Sequence, residues 1–193
     1  MNSPIKIYTN GNKKVKIYQE DDTLESPRMW DNLGIMICFH KRYSLGDRTD
    51  LTSEDFNSFS ELKDHLIKNE KAVIILPLYL YDHSGITISV NPFSCHWDSG
   101  QIGYIYTTKE RIDKEELTEE RAKEILLNEV KIYDQYLTGD IFRYKYVELK
   151  QCKECNHIEE EVIDDCGGFY GMSDCKEVLS TEIKDFENFI EEK

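Results

Sequence analysis

His83, Cys95, His96 and Asp98 fall within sixteen residues of one another, in the tract LPLYLYDHSGITISVNPFSCHWDSGQIGYIY that runs from Leu76 to Tyr106. A cysteine becomes a nucleophile when an imidazole takes or shares its proton and a third group orients that ring. Cys95 as nucleophile, His83 as base and Asp98 as orienting group meet this requirement. Gln101 or the amides near Gly100 supply candidate donors to an oxyanion. A Cys95-dependent hydrolase or transferase is therefore one expectation. The same residues also have a plainer reading, with Cys95 a small buried hydrophobe, His83 a hydrogen-bonded turn residue and Asp98 a turn or cap former.

The tract also holds the parts of a binding pocket that performs no chemistry. Tyr79, Tyr81, Phe93, Trp97, Tyr104 and Tyr106 offer faces on which a base can stack, worth about 1–3 kcal/mol per base. Asp82, Asp98 and Gln101 can bond its edges. Tyr81, His83, Trp97, Asp98 and Gln101 are thus the candidate binding set for a nucleotide-like ligand. The sequence has no Gly-rich phosphate loop and the tract carries little positive charge, which argues against a highly phosphorylated one. The alternative is that alternate aromatics fill the core of a sheet.

The third chemistry is metal ligation. Cys152 and Cys155 form a CxxC knuckle, and Cys166 and Cys175 follow. Four thiolates complete a tetrahedral structural zinc site, with His157 the alternative to Cys175. Strand-like flanks at 144–149 and 158–163 give the segment the form of a small zinc ribbon. Free thiols or a redox-active CxxC pair are the competing readings. His40, Lys41 and Arg42 make a compact basic cluster, expected to pair with the acidic C-terminal half of the chain and otherwise suited to an anion. Asp47 and Asp140 follow glycines, as aspartates that bond locally in turns do.

Charge is spread unevenly along the chain. Residues 1–112 carry 13 basic and 15 acidic side chains, net −2, and residues 113–193 carry 11 and 23, net −12. Neutralising phosphates requires clustered Lys and Arg, so direct nucleic-acid binding is disfavoured and a partner with a basic surface is favoured. The alternative is a solvated acidic surface. The longest apolar run, Ala72 to Leu80, is half of the roughly 18 residues a membrane span needs. The first residues, MNSPIKIYTNGNKK, lack the apolar core of a signal peptide. A cytoplasmic protein without membrane partners is expected, its six cysteines reduced or ligating metal.

The elements that position these groups follow from local pattern. Ile5–Thr9 and Val15–Tyr18 alternate around Asn10-Gly11-Asn12, a hairpin signature. Leu33–Phe39 and Lys71–Leu80 are near-continuous apolar runs, as buried strands are. Pro77 places the second half of the latter near an edge or bulge. Ser58 and Glu61 have capping-box spacing ahead of a helix at 59–68. Ile86–Val90 and Ile102–Thr107 are strands joined by the aromatic-polar loop. Thr118 caps an amphipathic helix bearing Ala122, Ile125, Leu126, Val130, Tyr133 and Leu137, which stops at Gly139. Ile141–Leu149 alternates as a strand. Val178, Leu179, Ile183, Phe186, Phe189 and Ile190 predict a C-terminal helix. The fold class expected is α+β, a mostly antiparallel sheet with two or three helices on one side. Residues 1–149 form the main domain, and 150–193 an acidic, cysteine-containing segment packed on it.

Six phrases carry a resemblance. They are WDNLG at 30–34, YSLGD at 43–47, LPLYLYDHSGIT at 76–87, FSCHWDSGQIGYIY at 93–106, YDQYLTGD at 133–140 and CGGFYG at 166–171. They resemble a family of phage-encoded proteins of unassigned function from viruses of Gram-positive bacteria. The family pattern has proline where this chain has His96, and its CxxC is optional, which makes zinc an embellishment. The resemblance implies action in the cytoplasm of an infected bacterium. With the acidic charge it leads to a non-catalytic accessory protein that binds a basic, nucleic-acid-binding host protein and blocks a defence. The nucleotide-like ligand and the Cys95 enzyme are the alternatives.

Overall fold

The computed structural model describes residues 3–20, 24–153, 155 and 157–192. The chain forms two compact units, residues 1–24 with 139–193, and residues 25–138. The division expected at residues 149 and 150 falls inside a strand instead. The chain's two ends share one sheet, so sequence neighbours are separated and distant segments joined. The α+β class and the mostly antiparallel pairing are as the local patterns predict.

In the discontinuous unit, strands β1 (Lys6–Asn10) and β2 (Lys13–Gln19) form the expected hairpin. Gly11 turns it at φ +60°, a conformation that favours glycine. Among the described residues of the second unit lie β3 (Ile35–Cys38), α1 (Phe59–Lys68), β4 (Ala72–Asp82), β5 (Ile86–Ser89), β6 (Ser99–Thr108), α2 (Lys109–Lys114) and α3 (Glu119–Thr138). The chain then returns to the first unit with β7 (Ile141–Gln151), β8 (Ile158–Tyr170), α4 (Met172–Glu182) and β9 (Ile190–Glu191).

The first unit's sheet has the order β8-β7-β2-β1-β9, antiparallel throughout. Tyr8, Val15, Ile17, Phe142 and Tyr144 bury one face against Cys175, Leu179 and Ile183. The predicted C-terminal helix is split. The helix ends at Glu182, Asp185 takes a left-handed φ of 61°, and Ile190 pairs with Thr9 of β1. Phe186 and Phe189 leave the helical path to pack on the same core, so apolar burial overrides their helical spacing.

The second unit's sheet has the order β3-β6-β4-β5. Its helices lie on opposite faces, not on one side as expected. Met36, Leu78, Leu80, Ile88 and Ile105 meet Leu126, Val130 and Tyr133 of α3. Ile37, Ala72, Tyr104 and Tyr106 meet Leu62 and Leu66 of α1. Two-sided burial is the physical reason the strands read as continuous apolar runs. Ser58 caps α1, accepting from the Glu61 N–H at 3.2 Å, and Thr118 caps α3, accepting from the Arg121 N–H at 3.2 Å. β5 pairs only with Tyr79–Asp82 of β4, so Pro77 faces an unpaired edge, and a register shift follows at Leu78 and Tyr79. No helix among the described residues is long and apolar enough to cross a membrane.

Candidate functional site

Tyr81 and Asp82 end β4, His83 begins the tight turn to β5, and the loop from Asn91 to Asp98 returns to β6. The Asp82 N–H donates to the Asp98 carbonyl at 2.8 Å, which closes the loop against the strand. Structure and sequence agree that His83, Cys95 and Asp98 meet. His83 Nδ1 lies 3.1 Å from Asp98 Oδ2, and Cys95 Sγ lies 3.9 Å from the same oxygen. Their order, however, is not that of a nucleophile triad. The carboxylate stands between thiol and imidazole, where a triad puts the imidazole between thiol and carboxylate.

The aromatic set is also placed differently from a pocket. Tyr81 stacks on His83 at 5.9 Å and tilts against Phe93 at 5.6 Å, so its ring is taken up by neighbours. Trp97 is 96% exposed. Gln101 Nε2 donates to the Gly103 carbonyl at 3.3 Å, an ordinary backbone tie. Tyr104 and Tyr106 are buried beneath α1, the sheet-core reading.

A cavity lies along the segment that joins β3 to α1, and it includes the His40–Lys41–Arg42 cluster. Residues 38–62 line an open cleft of about 1130 Å³, somewhat above the roughly 300–1,000 Å³ usual for ligand sites. Phe39, Phe56 and Phe59 form an aromatic wall, with Phe39 and Phe56 stacked at 6.2 Å and Phe59 edge-on to Tyr104 at 6.4 Å. Lys41, Arg42 and Arg48 line it too, as do His40 and Tyr43, stacked at 5.0 Å. His40 does not pair with an acidic residue as expected; its Nδ1 accepts the Arg42 N–H at 3.3 Å. Arg42 does pair with a carboxylate, but with Asp82 and not with the acidic C-terminal half, its Nη1 lying 3.0 Å from Asp82 Oδ2. Lys41 and Arg48 have no ion-pair partner among the described residues. The signal available in the sequence was HKRY followed by Arg48, Phe56 and Phe59. The basic cluster by itself suggests an anion, but that Arg48, Phe56 and Phe59 join it is not legible, because nothing local says that residues 39 and 59 close on each other.

Asp47 lines the cavity but is spoken for. Arg28 Nε and Nη2 donate to its two oxygens, each at 2.8 Å, and the Met36 N–H donates to Oδ2 at 2.8 Å. Arg28 also donates to Glu129 Oε2 at 3.0 Å and to the Gly34 carbonyl at 2.8 Å. Glu129 accepts in addition from the N–H groups of Leu33 and Gly34, at 2.8 and 3.1 Å. The Arg28 side chain is only 3% exposed. Burial would lower the guanidinium's proton affinity, and bonds to Asp47 and Glu129 more than reverse this, holding it above its ordinary value. Gly34 has no room for a side chain, since a Cβ there would lie 2.8 Å from Ile105 and 2.9 Å from Glu129. Beside this network burial pushes the Cys38 thiol up to about 12, with the Asp47 charge adding to it.

The cysteines expected to hold zinc do not converge. Cys166 pairs with Tyr144, while Cys152 and Cys155 sit beyond the end of β7 at Gln151. Eight residues of strand separate Tyr144 from Cys152, roughly 26 Å at 3.3 Å per residue. Cys175, on α4, is buried in the core. Glu154, inside the CxxC, lies outside the described residues. Among those that are described, no group of three or more His, Cys, Asp or Glu side chains is disposed to hold a metal ion.

The acidic excess along the sequence is divided in space. The first unit carries 11 basic and 18 acidic side chains and the second 13 and 20, so each is net −7. The densest acidic run, on edge strand β8, is largely partnered. Glu160 meets Lys16 at 2.6 Å, Glu161 meets Lys150, Asp165 meets Arg143 at 2.6 Å and Lys145 at 3.3 Å, and Asp164 accepts from the Tyr144 hydroxyl at 2.6 Å. Ile163 is left unpaired by a bulge. Charges and a bulge on a free edge keep it from pairing with another chain.

No family model, curated protein or solved structure matches this chain.

Proposed function

We propose that this chain binds a nucleotide-like small molecule in the cavity of residues 38–62. One observation carries the reading. In a chain of net charge −14, this cavity combines an aromatic wall with three cations, two of them without an ion-pair partner among the described residues. Aromatic faces suit a base, and Lys41, Arg42 and Arg48 suit one or two phosphates. The absence of a phosphate loop from the sequence keeps a monophosphate ahead of a triphosphate. The reading moves the expected ligand from the Tyr81–Gln101 loop to the neighbouring segment. A cytoplasmic site of action in an infected bacterium stays with it as part of the proposal.

The binding of a basic host protein rests on net charge, and the internal pairing of β8 leaves it less support. A Cys95 reaction rests on the His83–Asp98–Cys95 cluster, whose order does not favour it.

Calorimetric titration at low salt with AMP, GMP, CMP and UMP tests the proposal. At least one is expected to bind in the micromolar range, and Lys41→Ala with Arg48→Ala to weaken it by about tenfold or more. Silence from all four at millimolar concentration removes the reading.

A further inference from the structure

Arg42 differs from the two other cations of the cavity. Its guanidinium is already engaged by Asp82, a residue that does not line the cavity. The engagement is shallow, since the Arg42 side chain is 70% exposed. Its guanidinium carbon lies 5.3 Å over the ring of Tyr43, a cavity-lining residue whose hydroxyl donates to both Asp82 oxygens at 3.2 Å. The Arg42 backbone is held by the bond to His40. Turning Arg42 toward the cavity therefore needs only side-chain torsions. Asp82 would keep its bonds from Tyr43, and at 22% exposure water can reach the place Arg42 leaves.

We infer that Asp82 is an internal competitor for the ligand's phosphate. It holds Arg42 folded over Tyr43 in the empty protein and yields it to the bound anion. The inference rests on the cavity being the binding site. It makes Asp82 a residue that sets affinity without touching the ligand. An exposed ion pair is weak, so the competition weakens binding modestly and does not block it. Its chemical selectivity is for anions, because a neutral nucleoside offers nothing that draws Arg42 from its carboxylate.

The test is a double-mutant cycle read by calorimetry, with the nucleoside monophosphate that binds best, its neutral nucleoside and inorganic phosphate as probes. Asp82→Asn keeps an oxygen that accepts from Tyr43 and removes the charge that holds Arg42. It is expected to tighten the monophosphate by about two- to fivefold, the size of one exposed ion pair, and to leave the nucleoside unchanged. In an Arg42→Ala background the gain is expected to vanish. If Asp82→Asn binds the monophosphate no tighter, the competition is overturned while the site stands. If the gain persists without Arg42, a general charge effect replaces the competition. If wild type and Asp82→Asn both bind none of the probes, the binding site itself is overturned, and the competition with it.

Discussion

Arg28 meets Asp47, Glu129 and a backbone carbonyl behind β3, whereas His83 meets Asp98 on an open loop, with Cys95 against the same carboxylate. Both clusters are built on carboxylates of one unit. They differ in burial and saturation. The Arg28 side chain is 3% exposed and the His83 side chain 64%. A buried charge is tolerated only when its bonds are complete, and then removing any partner strands the rest. An exposed charge has water as an alternative partner, so its contacts are worth little and are free to change. The lesson for this chain is that the strongest polar cluster pins the cavity's frame and is not itself the site. The residues with spare bonding capacity, Lys41 and Arg48 above all, line the space beside it.

The largest expected effect comes from breaking the buried cluster. Glu129→Ala leaves Arg28 short of a partner and the Leu33 and Gly34 amides without an acceptor, and is expected to destabilise the second unit by about 3–5 kcal/mol in urea unfolding. A change under about 1 kcal/mol would break the comparison, since surface pairs reach as much.

Thiol reactivity separates the two regions without mutation. Timed alkylation of the native protein, read by mass spectrometry, is expected to leave Cys38 at least about tenfold slower than the exposed Cys155 and Cys166, because its thiol is only partly accessible and its thiolate disfavoured. Cys95 is expected to react no faster than those two. A much faster Cys95 would restore the nucleophile reading.

The exposed pairs of β8 give a smaller, pH-dependent effect. Burial alone would raise the Asp165 carboxyl, but Arg143 and Lys145 hold it below its ordinary value. A carboxyl depressed by folding stabilises at pH above its unfolded value, near 4, and that stabilisation fades as pH falls through the folded value. Asp165→Asn is thus expected to lower stability at pH 7 by under about 1 kcal/mol. The gap between variant and wild type should close near pH 2, and an undiminished gap there would show that the pairing is not its cause.

Smallest of all is Asp98→Asn. The open His83 and Cys95 contacts predict a stability change within about 0.5 kcal/mol. A loss of several times that in the same urea experiment would mean the loop is built as tightly as the Arg28 network.

Much of the frame was legible along the chain. The turn at Gly11, the caps at Ser58 and Thr118 and the α3 stripe of Ala122, Leu126, Val130 and Tyr133 all stand where local pattern put them. The site was legible only in part. That His83, Cys95 and Asp98 meet followed from their closeness in sequence, but their order did not, because side-chain direction at a turn depends on how the loop closes. Arg28 carried no signal at all. Its carboxylate partners lie 19 and 101 residues away, and an arginine in PRMWDNLG looks like any surface arginine until the chain folds over it.

The sequence by itself determined what short-range physics decides: where backbone turns, where helices start, and which strands are apolar on both faces. Periodicity and capping act over a few residues and need no partner from elsewhere. Only the tertiary structure decided that both chain ends share one sheet, that the acidic excess is divided between two units of net −7, that the CxxC end of β7 lies far along the sheet from Cys166, and that residues 38–62 line a cationic, aromatic cavity. Each of these depends on which distant surfaces bury each other. Burial is a property of the packed pair of surfaces, and neither sequence segment carries it alone.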